Sequence, residues 1–406
     1  MKQKVLFMTV GTGYGEKGYE DLANGLCTSI KYNSPFKIIF FITEKSERTV
    51  EKIREVYEND CNDELDSYDC VMIDNPDDFN NCYSVMSKQI EKYEDNNIVV
   101  DYTSGTKTMS VSLAVIGILN HFPLMMITGK RGNMGVIQTS TEENKSQNPY
   151  QVYDKMNFES FKKHFNNCRF DIAEASLSKI VSLFNDEEIG LLSDVLKMYN
   201  DWDKFHHNIQ KIDTKSSLFD SMSKQLGLNI KSLSIITKEG HDLRQFYILA
   251  DMLNNAKRRF NDGRYDDATA RLYRSLELIE QIILSEEYGL VTSKINIDDL
   301  RKYDLDENYL MELKSKEKDS IIKLGLSDSY YLLYKLGNEI GKYYIDNQKY
   351  YLNILSVRNE SILAHGSKPV TKEEYMEFEG LVYNIAKLLI PKLDDYLNET
   401  EFAKFL

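Results

Sequence analysis

The chain has 406 residues, enough for two or three domains with cores of their own. With 42% hydrophobic residues, a formal charge of −14 and a pI near 5.1, it lacks the broad basic footprint needed to coat duplex nucleic acid, and stable DNA binding is not expected. Its five cysteines (Cys27, Cys61, Cys70, Cys82, Cys168) include no CxxC pair, which argues against a cysteine metal site and for reduced thiols in the cytoplasm.

Met1-Lys2-Gln3-Lys4 runs straight into a strand-like segment, so no signal peptide is expected. Residues 5–10, 36–42, 70–73, 98–101 and 124–128 are short, apolar and largely β-branched, and predict strands. Helix-period segments such as 46–58 and 83–93 lie between most of them. This pattern predicts βαβ units on a parallel sheet buried on both faces. The most apolar tract, 111–128, is interrupted by Asn120, His121 and Pro123 and reads as a buried helix followed by a strand, with no membrane span.

Parallel sheets of this kind bind ligands beyond the carboxyl ends of their strands. After the first strand comes Gly11-Thr12-Gly13-Tyr14-Gly15, and after the fourth Asp101-Tyr102-Thr103-Ser104-Gly105-Thr106-Lys107-Thr108. In both, small residues let backbone N–H groups approach a phosphate, and a helix N-terminus follows. Thr43 and Ser46 add hydroxyls after the second strand, and Lys130 and Arg131 add charge after the last. The first loop lacks the glycine spacing of a dinucleotide fingerprint, and Thr106 separates Gly105 from Lys107 where a Walker loop needs Gly-Lys. Either loop alone is an ordinary βα turn; two on one sheet edge, one with a lysine, favour a nucleotide or phosphate site.

Residues 142–148 are polar and unpatterned, and Pro149 follows, which predicts a linker closing a first domain over 1–150. Residues 151–240 read as a helical connector, with Phe170, Ala173, Leu177 and Ile180 on one face of a helical pair spanning 161–184. His206 and His207 lack a third ligand at suitable spacing and read as structural or exposed. The last domain, 241–406, is helical, with residues 291–325 charged and expected as loop with short helices. Leu272, Leu276, Ile279 and Ile283 form one stripe of a helix over 268–285, and Arg258, Arg259, Arg264, Arg271 and Arg274 gather before and within it. Such a group is usually a solvated face, yet it is also the best candidate for an RNA-backbone contact. Residues 330–344 and 348–365 predict two tyrosine-rich helices, and 373–397 a third, interrupted at Pro391.

Arg358 and His365 stand seven residues apart, so on a continuous helix both point the same way, roughly 10 Å apart. Tyr351, Ile354, Leu355 and Ile362 fall within about 60° of Arg358, while Lys349, Asn353, Ser356 and Glu360 lie opposite. Gly366 and Pro369 would stop the helix, placing His365 in its last turn, where the dipole favours an imidazolium. One reading is a capping histidine and a salt-bridged arginine. The other is an interface: across a two-fold axis two such pairs would converge, supplying a cation for a phosphorane and an imidazole for proton transfer.

Arg358-Asn359 to His365 resembles the R-x(4–6)-H motif of HEPN ribonucleases. The loop Asp101 to Lys107 is similar to the D-x-T-x-G-T-K ligand loop of the CARF domain, a Rossmann-like sensor of cyclic oligoadenylates, and residues 264–277 look like a first HEPN helix. The chain as a whole thus resembles the CARF–HEPN ribonucleases of type III CRISPR systems, with 151–240 matched only as generic helices. The resemblance implies an α/β Rossmann-like CARF domain, a helical connector and an all-α HEPN domain. It further implies a cytoplasmic homodimer that cuts single-stranded RNA without a metal when cyclic tetra- or hexa-adenylate binds. The 2′-OH would attack its own phosphate, leaving 2′,3′-cyclic phosphate and 5′-OH ends. His365 would be the acid and base, Arg358 the phosphate stabiliser and Asn359 an orienting residue. Gly11, Thr12, Gly13, Tyr14, Thr43, Ser46, Thr103, Ser104, Gly105, Thr106, Lys107, Lys130 and Arg131 would hold the ring, and Thr12 and Thr106 could support slow cutting of it. A nucleotide-responsive regulator, or a scaffold without nuclease activity, is the alternative.

Overall fold

The structure is a computed structural model that describes residues 2–13, 15–130, 141–147, 150–209, 212–361, 363 and 366–406. The chain divides into two compact units, residues 1–158 with 179–184, and residues 159–178 with 185–406. Of the expected connector 151–240, residues 159–178 and 185–240 therefore fall in the second unit.

The first unit alternates β1 (Lys4–Thr9), α1 (Gly15–Asn33), β2 (Lys37–Ile42), α2 (Glu47–Cys61), β3 (Tyr68–Met72), α3 (Phe79–Glu91), β4 (Asn97–Asp101), α4 (Lys107–Leu119), β5 (Leu124–Thr128) and β6 (Glu143–Gln147). Apolar residues on β1 feed both faces: Leu6 and Met8 join one core with α1 and α2, Val5 and Phe7 the other with α3 and α4. The sheet order is β3-β2-β1-β4-β5-β6, with β1 to β5 parallel and β6 antiparallel to β5. The chain winds outward from β1 through β3, then returns to add β4 on the other side of β1. That reversal opens a crevice at the carboxyl ends of β1 and β4. The segment 142–148, expected as linker, supplies β6 instead. Its residues Glu-Asn-Lys-Ser-Gln show no apolar alternation because an edge strand needs backbone pairing more than a buried face.

The second unit is helical. It holds α5 (Tyr150–Asn166), whose first residues belong to the first unit, then α6 (Phe170–Leu177), α7 (Asp186–Asp203), α8 (Ser223–Thr237), α9 (Arg244–Asn261), α10 (Tyr265–Tyr288), α11 (Ile297–Leu300), α12 (Glu307–Ser315), α13 (Leu326–Lys335), α14 (Glu339–Asp346), α15 (Gln348–Glu360), α16 (Lys372–Leu389) and α17 (Leu393–Thr400). Leu272, Leu276, Ile279 and Ile283 of α10 are buried, as their spacing predicts. The helical pair expected over 161–184 ends at Leu177. The single helix expected over 330–344 is two, because Gly337 turns the chain at φ 77°. Gly341 lets them pack, since a Cβ there would lie 2.3 Å from the Tyr334 nitrogen. Pro391 separates α16 from α17, as expected. Tyr330, Tyr344 and Tyr351 stack in series, with centroids 4.1 and 4.5 Å apart.

Beside this stack α10 buries a carboxyl group. Glu280 is only 2% exposed, and burial, reinforced by the charge of Glu277 and opposed by Arg274, pushes its pKa up to about 8. The folded state thus holds a proton that the unfolded chain releases near pH 4.5, so stability declines as pH rises from there to about 8. Glu280→Gln is expected to raise the melting temperature at pH 8 and leave it nearly unchanged at pH 5. Calorimetry at both values checks this; an equal shift at both would contradict it.

Candidate functional site

In the first unit the loops after β1 and β4 meet at the crevice. The Gly11 N–H donates to Ser104 Oγ at 2.9 Å, and the Gly11 carbonyl accepts from Thr49 Oγ1 at 2.8 Å. The approach needs glycine: a Cβ on Gly11 would stand 2.8 Å from the Gly105 nitrogen, and Gly105 itself has φ +102°. Thr9 and Ser110 hydroxyls both donate to the Ser104 carbonyl, fixing the turn.

Beneath it the buried Asp101 accepts the Thr103 N–H at 2.8 Å, while burial raises its carboxyl above the ordinary range. Thr103 Oγ1 in turn accepts the Ile127 N–H at 2.8 Å. Thr106 caps α4 by accepting the Met109 N–H and donates its own proton to the Pro76 carbonyl at 2.6 Å, tying this loop to the one after β3.

These loops enclose a cavity of about 1020 Å³. Gly11, Thr12, Gly13, Thr43, Thr103, Ser104, Gly105 and Thr106 line it. Three other expected ligands do not: Ser46 is buried and spent on capping Thr43, and Lys107 and Lys130 are exposed outside the lining. Tyr14 and Arg131 lie outside the described residues. The loop after β3 was missed from sequence, although Asp74, Pro76 and Asp77 follow a strand that the same edge rule covers. Asp21 and Leu22 of α1, and Met126 and Ile127 of β5, also line the cavity. Carboxylates of Asp21, Glu44, Asp74 and Asp77 face one ammonium, Lys45, among the lining residues. The lining therefore combines glycine backbone and hydroxyls with an excess of carboxylates, and is no cationic sink.

In the second unit, α15 ends at Glu360 and Ser361 is extended. The Lys368 N–H takes the Glu360 carbonyl and the Lys368 ammonium takes its carboxylate at 2.8 Å, so the helix closes earlier than its apolar spacing predicts. The continuous helix expected as far as His365 therefore ends at Glu360. Arg358 occupies the last turn, and His365 lies outside the described residues, as does Ile362. Tyr351 and Leu355 are buried and Lys349, Asn353, Ser356 and Glu360 exposed, as the wheel predicts. The Arg358 guanidinium lies 4.2 Å from the ring centroid of Tyr273 on α10 and donates to Asn359 Oδ1 at 3.0 Å. Asn359 is exposed.

The arginines gathered before and within α10 are each paired with a carboxylate of the fold. Arg258 and Arg259 hold Asp203, Arg264 and Arg271 hold Asp267, and Arg274 holds Glu277. Sequence shows the charge run, whereas the carboxylate that answers it can sit 55 residues away, as Asp203 does from Arg258. His207 pairs with the buried Asp251 at 3.1 Å and His206 is exposed, in line with a structural reading.

No curated protein sequence matches the chain. Residues 237–389 match the family model described as the Csm6 HEPN domain. Among solved structures, Enterococcus italicus Csm6 bound to cyclic hexa-2′-fluoro-hexa-dAMP aligns with a TM-score of 0.67 at 16% identity, covering 98% of this chain and 99% of that one. Can2 from Sulfobacillus thermosulfidooxidans in complex with cyclic tetra-adenylate aligns over 50% of this chain and 65% of its own at 12% identity, but a TM-score of 0.26 carries no argument. Residues 237–389 thus match a Csm6 HEPN domain, and the chain along its whole length shares the fold of a Csm6 protein.

Proposed function

We propose that this protein is a cyclic-oligoadenylate-activated endoribonuclease that cuts single-stranded RNA in type III CRISPR defence, acting as a cytoplasmic homodimer with a composite cleft. The observation that carries the reading is the glycine- and hydroxyl-lined cavity at the β1–β4 crevice, in the same chain as a Csm6-type HEPN domain. A two-fold symmetric ring bound across two copies would match the dimer axis, and ring binding would shift the population of nuclease-competent pairs. In the HEPN domain the 2′-OH attacks the adjacent phosphate, His365 moves the protons and Arg358 stabilises the charge that develops on phosphorus. An arginine and an imidazole suffice for that chemistry, so cleavage proceeds without a metal.

Slow cutting of the ring in the sensor falls to Thr12 rather than Thr106, whose proton is committed to Pro76. Among the described residues no helix is long and apolar enough to cross a membrane.

The test is end-group analysis of RNA cut in EDTA with cyclic tetra- or hexa-adenylate present. Products with 2′,3′-cyclic phosphate and 5′-OH ends are expected. Ends with 5′-phosphate, or a requirement for added magnesium, would contradict the mechanism. Ring binding without any cleavage would favour a scaffold.

A further inference from the structure

Every arginine singled out near α10 except Arg358 has a carboxylate. Arg258, Arg259, Arg264, Arg271 and Arg274 are each ion-paired, whereas among the described residues no carboxylate lies within ion-pair distance of Arg358. Among the described residues its guanidinium meets the Tyr273 ring at 4.2 Å and the carboxamide of Asn359 at 3.0 Å, both neutral. A carboxylate would orient the guanidinium but would also neutralise it and compete with a phosphate for its donors. An aromatic face orients the same cation through its quadrupole and leaves its N–H groups and full charge available at the edge. Tyr273 is well fixed for this task. It sits on the 24-residue helix α10, half-buried against the core, with the Arg274–Glu277 ion pair one turn on.

Resting on the nuclease reading above, we propose that Tyr273 is the positioning residue of the active site, presenting Arg358 un-neutralised to the scissile phosphate.

The ring, and not the phenol hydroxyl, carries this role. Tyr273→Phe is expected to keep most of the activity. Tyr273→Leu is expected to lower kcat about tenfold with little change in KM, since the loss falls on the transition state. Both are assayed on fluorescent single-stranded RNA with saturating cyclic tetra- or hexa-adenylate, beside Arg358→Ala. An activity-independent readout accompanies them: in arginine-labelled protein, the side-chain resonance that vanishes in Arg358→Ala is expected to be ring-current shifted in wild type and Tyr273→Phe, and unshifted in Tyr273→Leu. Wild-type protein whose Arg358 resonance is unshifted overturns the proposal even if Tyr273→Leu does not fold. Full activity of Tyr273→Leu alongside an inactive Arg358→Ala overturns it while sparing the nuclease reading. Full activity of Arg358→Ala overturns that reading instead.

Discussion

Arg358→Ala is expected to lower the rate of single-stranded RNA cleavage about 10²–10³-fold, the usual cost of removing one preorganised charge stabiliser. The magnitude follows from where the side chain stands. It occupies the last turn of α15, half-buried, lying on a ring and bound to no acid among the described residues, so its charge is available to a developing phosphorane. His365→Ala should cost about 10²–10⁴-fold, as expected for a general acid or base. If the imidazole moves the protons, the wild-type rate should carry a pH inflection that the residual rate of His365→Ala lacks. If the two residues act as a unit, the double variant will be no slower than the worse single one by more than a small factor. Single-turnover kinetics in EDTA across pH decides this; a pH profile unchanged by His365→Ala would remove the histidine from the chemistry.

Ser104→Ala is expected to weaken binding of the cyclic oligoadenylate about tenfold or more, the value of one hydrogen bond to a charged group. The hydroxyls differ in what they have left to give. Ser104 Oγ already accepts the Gly11 N–H and retains a proton to donate into the cavity it lines, whereas the Thr103 hydroxyl accepts the Ile127 N–H and donates to the Asp101 carboxyl group. Thr106 has spent its proton on Pro76, and Ser46 is spent on Thr43. Titration calorimetry with cyclic tetra- and hexa-adenylate should therefore show a larger loss for Ser104→Ala than for Thr103→Val or Ser46→Ala, and equal affinities in all three variants would contradict the assignment.

The parallel sheet was legible because its strands are buried on both faces: Leu6, Phe7 and Met8, or Ile39, Phe40 and Phe41, have no polar side to confuse the period. β6 was not, because Asn144 to Ser146 carry no pattern and the strand is recognised only by its pairing with β5. The two glycine loops could be placed by the rule that ligands gather at strand carboxyl ends. Which of their hydroxyls remain free could not, since Thr106 is committed by a carbonyl 30 residues earlier. On α15 the wheel placed the solvent face correctly, yet the helix stops at Glu360 because Lys368 takes both its carbonyl and its carboxylate. Tyr273 escaped notice for a related reason. A tyrosine within the apolar period of α10 looks like core until the guanidinium of Arg358, 85 positions on, is found against its face.

The most direct test of the central claim is the rate at which the protein cuts fluorescent single-stranded RNA in EDTA with and without a cyclic oligoadenylate. Stimulation of about tenfold or more by the tetra- or the hexa-adenylate ring, lost in Arg358→Ala, is the predicted result. A rate unmoved by either ring, or one that Arg358→Ala leaves intact, would contradict it.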